Sequence, residues 1–168
     1  MAETKFYVDD QGVYLGGFSE GNPSIPAGAI EVPSPPDQAD KTWDGSSFGV
    51  SKDVIKACLA KYRWEKEVGG INFGGVPIRT DERSRSLLSG IQRKIAKENN
   101  GSITRKVKTE AGFIVIDNNT MEALYDFVCD HVQLCFDIEE DLIGQIDSGT
   151  ILDCPAMEAE FELQYAAG

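Results

Sequence analysis

The sequence predicts an α+β fold: a small N-terminal β-unit followed by an α+β domain with two hairpins and a long acidic helix. Three observations predict it. Aromatic and β-branched runs, broken by Gly, Pro and Asp turn signals, fill residues 1–49. Apolar stripes at helical spacing cover about 52–67, 81–98 and 121–147. Hairpin signatures lie between them at 71–78 and 102–116. The chain divides accordingly into an attachment unit (1–49), the α+β domain (50–153) and a C-terminal strand or tail (154–168).

In chain order, Phe6-Tyr7-Val8 and Val13-Tyr14-Leu15 flank an Asp-Asp-Gln-Gly turn, and Gly16-Gly17 is expected to break the second strand. Ala29–Val32 reads as a short strand stopped by the stiff Pro33–Pro36 stretch, and Trp43-Asp44-Gly45 as a turn beside an aromatic. Ser51 is the expected N-cap of the first helix, which Gly69-Gly70 ends. Gly74-Gly75 makes a tight hairpin turn and Pro77 suggests an edge strand. Thr80 is the expected cap of the second helix and Thr120 that of the third. The strand 112–116 is a continuous apolar run, which reads as central. In the third helix Met121, Leu124, Tyr125, Val128, Val132, Cys135, Ile138, Leu142 and Ile146 form one long stripe without strict heptads. Ala159, Phe161, Leu163 and Tyr165 then alternate with polar residues, the pattern of a two-faced strand.

The chain has 168 residues, 28 acidic and 16 basic, for a net charge of −12. That balance argues against nonspecific binding to nucleic acid or an anionic membrane, both of which need cationic surface. No apolar run has the length of a membrane span, and the N-terminus lacks the pattern of a signal peptide. The charge is unevenly spread. Residues 1–49 carry −6, residues 50–108 carry +8, and residues 109–168 carry −14 with no Lys or Arg. The two large blocks can attract each other within one fold or between copies, but the simpler expectation is that each is a solvated helix face.

Cys58, Cys129, Cys135 and Cys154 match no metal-site spacing, and His131 is the single histidine. Free thiols in a reducing compartment are the expectation. Phosphate loops, nucleophile elbows and zinc-protease motifs are missing from the sequence, so no catalytic residue, cofactor or metal ligand is expected.

Two stretches carry a resemblance. Residues 64–147 resemble a domain of unknown function common in tailed bacteriophages, through Gly69-Gly70-Ile71, Gly75–Asp81, Gly112-Phe113 and the long helix that starts near Met121. Gly12–Phe18, Ile30–Pro33, Pro35-Pro36 and Trp43–Gly45 resemble the openings of phage tail-fibre and tail-fibre-assembly proteins. The resemblance implies a non-enzymatic protein that binds a tail-fibre protein, as assembly chaperone or fibre-bound accessory subunit. It would work in the host cytoplasm during assembly. A structural component of the virion, at a fibre tip or baseplate, is the alternative, and a homo-oligomer is a further possibility. A small carboxylate-dependent hydrolase is the third reading. Candidate partner contacts are Phe6, Tyr14, Phe18 and Trp43 on the small β-unit, with Phe161 and Tyr165 on the expected C-terminal strand.

Overall fold

A computed structural model describes residues 3–19, 24–39, 41–98, 100–109 and 112–168. Among them, five short strands precede four helices, and two hairpins lie between the helices, so the fold is α+β. The expected turn residues Glu110 and Ala111 lie outside the described residues.

β1 (Thr4–Val8), β2 (Tyr14–Ser19) and β3 (Ile30–Val32) form an antiparallel sheet in the order β2-β1-β3. Asp9 closes the first turn by accepting from the backbone N–H groups of Gln11 (2.9 Å) and Val13 (2.8 Å). Gly16-Gly17 does not break β2, which runs on to Ser19. The pair has packing roles instead. Gly17 lies opposite Phe6, and a Cβ there would stand 3.2 Å from the ring. β4 (Lys41–Trp43) and β5 (Phe48–Val50) make a separate hairpin. Asp44 accepts from the N–H groups of Ser46 and Ser47 at 2.7 Å each, which holds its carboxyl down at about 2. The two sheets meet where Trp43 N–H donates to the Gly12 carbonyl at 2.8 Å. A Cβ on Gly12, whose φ is 80°, would lie 2.2 Å from the Trp43 carbonyl oxygen, so only glycine fits.

α1 (Lys52–Val68) follows, then the hairpin β6 (Ile71–Phe73)–β7 (Val76–Ile78), α2 (Glu82–Glu98), the hairpin β8 (Thr104–Thr109)–β9 (Gly112–Asp117), α3 (Asn118–Ser148) and α4 (Cys154–Ala167). Ser51 stands at the N-cap of α1 as expected, and the other two caps are corrected. Ser51 makes no side-chain cap bond. α2 is capped by Asp81, which accepts from Ser84 N–H, and α3 by Asp117, which accepts from Thr120 N–H at 2.7 Å. In both helices a carboxylate, next to Thr80 in α2 and three residues before Thr120 in α3, is the cap, because its charge adds a favourable interaction with the helix dipole.

The apolar strand β9 is not central. It pairs with β8 alone, so the pleat sends Ile114 and Ile116 inward and leaves Phe113 and Val115 75% and 61% exposed. The C-terminal segment is a helix, not a strand. Asp153 caps it by accepting from Ala156 N–H at 2.8 Å, Pro155 occupies its first turn, and Ala, Glu, Met, Leu and Gln favour a helix. Met157, Phe161 and Tyr165 are also spaced four apart, so the same residues that alternate every second position give a helical stripe.

Two cores result. The first joins α1, α3 and α4 through Ile55, Leu59, Ile138, Leu142, Ile146, Met157 and Phe161. The second joins α2, the hairpins and the first half of α3 through Ile78, Leu88, Ile95, Met121, Leu124 and Val128. α3 runs through both. Val50, the last residue of β5, packs on the first core, which ties the β-unit to the helices.

The expectation of four free thiols is overturned. Cys58 on α1 and Cys154 at the start of α4 form a disulfide across 96 residues, with Cα atoms 6.1 Å apart. Cys129 and Cys135 are free. Spacing could not reveal the pair, because the bond depends on how α4 docks. The charge blocks also meet inside the chain: Lys56 pairs with Asp147 (2.6 Å), Arg63 with Glu139 (3.0 Å) and Lys66 with Glu162. The basic α1 is therefore neutralised by the acidic α3 and α4. Among the described residues no helix is long and apolar enough to cross a membrane.

Because the disulfide closes a long loop, Cys154→Ser should lower the unfolding free energy by about 2–4 kcal/mol in oxidising buffer. In excess dithiothreitol, variant and parent should unfold at nearly the same urea concentration. An equal difference in both buffers would show that the bond contributes nothing.

Candidate functional site

The sequence-derived contact residues fall into separate places. On the β-unit, Tyr14 and Trp43 are brought together by Phe48, which the sequence reading missed. Both rings meet Phe48 edge to face, with centroids 6.4 and 5.2 Å away. Phe18 packs edge to face on Tyr7 at 5.9 Å, and Phe6 covers Gly17. All four candidates are half-buried. Each has one side in the mini-core, and the fully buried residues there are Val8 and Val32. The strand candidates are corrected by α4. Phe161 is fully buried against Tyr62 and belongs to the first core. Tyr165 is half-buried beside it and is held by a hydrogen bond, not presented as a free contact.

The densest polar centre was not expected. It lies where the end of α1 meets α2, α3 and α4, around Glu67, whose side chain is 6% exposed. Arg63, one turn back on α1, and Arg85 of α2 (2.6 Å) both hold its carboxylate, and Arg63 also reaches Glu139 of α3. The Glu67 main-chain carbonyl is used as well. It accepts from the hydroxyl of Thr80, which is fully buried and in turn accepts from Gly70 N–H at 3.0 Å. Thr80 is thus a latch between the end of α1 and the start of α2.

The same carbonyl is 3.2 Å from His131 Nε2. A carbonyl can only accept, so Nε2 carries the proton. Nδ1 lies 3.1 Å from the Tyr165 hydroxyl, within hydrogen-bond distance. Both ring nitrogens are thereby engaged within the fold. Cys135, one turn after His131, is also buried. Burial, reinforced by the Glu67 charge, pushes its thiol up to about 11. Burial likewise raises the Tyr165 hydroxyl. This centre favours a neutral thiol and a neutral phenol, the opposite of what an activated nucleophile needs. Among the described residues no group of three or more His, Cys, Asp and Glu side chains is placed to hold a metal ion.

One signal in the sequence points to this centre. Glu67 is an acid in the last turn of a helix, where the dipole disfavours it. A residue placed against the dipole needs a local compensating partner, and Arg63 is four positions back.

A third feature is a groove of about 680 Å³ between α2, β7 and β8. Its floor is apolar and its rim carries Arg83, Lys106 and Lys108.

A family model matches residues 51–166, from the residue before α1 almost to the end of α4. The chain belongs to the family of the domain of unknown function DUF4376. No curated protein and no solved structure matches the chain. The DUF4376 domain holds both cores, the Glu67 centre and the groove, while β1–β5 precede it.

Two predictions test the centre. Glu67→Gln should lower the unfolding free energy by about 3 kcal/mol, because it leaves two guanidinium groups without their shared charge; a chemical denaturation curve unchanged from the parent's would contradict that role. The second concerns alkaline pH. Cys135 ionises near 9.0 when unfolded and near 11 when folded, so its contribution is complete below pH 9 and is lost as the pH rises through 11. Stability should therefore fall over that window, and Cys135→Ala should make the fall shallower. An identical slope in the variant would mean that the thiol is not responsible.

Proposed function

We propose that this protein is a non-enzymatic interaction protein of a tailed phage, a tail-fibre assembly chaperone or fibre-bound accessory subunit that acts in the host cytoplasm during assembly. In this reading the β-unit holds the tail-fibre protein and the DUF4376 domain is the rigid body behind it. The resemblance of Gly12–Phe18, Ile30–Pro33 and Trp43–Gly45 to tail-fibre-associated proteins supports the assignment. The observation that carries the mode of binding is the sheet order β2-β1-β3. β2 and β3 each have one strand neighbour among the described residues, so each offers an edge to which a fibre strand can add. Leu15 on β2 and Ile30 on β3 are exposed beside those edges. The half-buried aromatics would supply apolar contact area.

Co-expression with the tail-fibre protein encoded beside it, followed by affinity capture, tests the proposal. The wild-type chain should bring the fibre protein down, and Leu15→Lys or Ile30→Lys should weaken capture about tenfold without unfolding the domain. Failure of the wild-type chain to capture the fibre protein would refute it. Mass spectrometry of purified virions then separates the two roles: a chaperone is absent from the particle, and an accessory subunit is present in fixed copy number.

A further inference from the structure

The groove between α2, β7 and β8 has three properties that together select a ligand. The first is an open strand edge. Among the described residues β8 pairs with β9 alone, and four consecutive β8 residues, Lys106 to Thr109, line the groove. Successive side chains of a strand point to opposite faces, so a consecutive run can border a cavity only along the strand's edge. The groove therefore runs beside backbone N–H and C=O groups without a strand partner. β7 also borders the groove and touches β8, but forms no ladder with it.

The second property is the apolar floor, built from Ile78, Leu87, Leu88, Ile91, Val107 and Leu124. Leu87 is 61% exposed there, an unusual place for a large aliphatic side chain on a strongly charged helix.

The third is charge. Folding spends the cations of α1 on internal pairs, with Lys56, Arg63 and Lys66 all bound to carboxylates. Among the described residues no ion pair holds Arg83, Lys106 or Lys108 on the groove rim. In a chain of net charge −12, the groove is lined by four basic side chains, Arg79, Arg83, Lys106 and Lys108, against one acid, Asp81, and is basic on balance. Lys106 and Lys108 stand opposite Val115 and Phe113 and so share the outer face of the hairpin. Val107 faces inward, toward the second core.

The geometry points to the β8 edge as a docking site for an extended acidic segment of a partner protein, with alternating apolar and carboxylate side chains. Such a segment would add as a third strand to β8. Its apolar residues would enter the floor beside Val107, and its carboxylates would lie on the outer face near Lys106 and Lys108. A second copy of the same strand is disfavoured, since it would bring lysines against lysines. Nucleic acid is a poorer occupant, because no aromatic side chain lines the groove to stack a base.

The test is fluorescence anisotropy with the full chain and a labelled synthetic peptide that alternates valine or leucine with glutamate. The peptide should bind, binding should weaken with added salt, and Lys106→Glu combined with Lys108→Glu should weaken it at least about tenfold. Leu87→Asp, a change at an exposed position, should weaken it as well. Hydrogen exchange read by mass spectrometry should show the bound peptide protecting amides in 104–109. Several outcomes would overturn the inference: no binding, equal binding of the peptide with lysine in place of glutamate, or protection confined to other strands. Tighter binding of a single-stranded oligonucleotide at the same residues would also overturn it. So would a dimer, seen in sedimentation velocity, that the lysine changes abolish.

Discussion

Everything in the helical domain is arranged around the need to satisfy one buried acid. Glu67 closes α1, and its carboxylate and main-chain carbonyl together engage residues from α1, α2 and α3. A buried carboxylate without partners would cost several kcal/mol, so the neighbours are constrained by it more than by each other. Arg85 fixes how α2 approaches, and Thr80 fixes the turn that leads into it. His131 fixes the rotation of α3 and passes the constraint to α4 through Tyr165. The apolar cores on either side supply most of the stabilising burial, but apolar packing is tolerant of small rotations. The polar layer selects one arrangement among them. A directional network at the seam between two cores also explains why α3 can serve both: its upper half packs on α2 and the hairpins, its lower half on α1 and α4, and the register is set between them.

The elements of the fold were legible in the sequence, because hydrophobic period and turn chemistry are local properties. The two hairpins, the three long helices and the acidic stripe of α3 all follow from them. What escaped was of three kinds. A period-two pattern in Ala159–Tyr165 contains a period-four pattern, and only docking against Ile138 and Leu142 decides between them. Caps depend on which nearby side chain is the better acceptor, and Asp81 and Asp117 serve where Thr80 and Thr120 were expected. Long-range pairs leave little local signature, and the acid in the last turn of α1 is the one trace of the Glu67 centre. The Cys58–Cys154 bond and the Glu67 centre join residues of elements that are distant in sequence. The candidate contacts divide in the same way. Phe6, Tyr14, Phe18 and Trp43 could be grouped because they belong to one small unit, whereas Phe161 was misplaced with its element.

Net charge is a poor guide to this surface for a physical reason. The chain total of −12 averages over groups that folding removes from view. The cations of α1 are spent on the acids of α3 and α4, and those acids in turn lose part of their field to α1. What a partner meets is the remainder. On α2 and β8 the remainder is positive, and on the solvent faces of α3 and α4 it is negative. The total charge therefore describes no one face of the molecule.

The two open-edged regions differ in what they would admit. β2 and β3 end a sheet whose side chains are largely aromatic and aliphatic, so selectivity there must come from shape and from the fit of apolar side chains. β8 ends a sheet whose outer face sets Lys106 and Lys108 beside Val115 and Phe113, so charge adds to selectivity there. Shape-selected contacts gain from burial and resist salt, while charge-selected contacts form quickly and are released by salt. A protein that escorts a partner needs one grip of each kind: a durable one for holding and a faster one for capture or exchange. Under the role proposed above, the β-unit would serve retention and the basic groove of the DUF4376 domain would serve a transient partner.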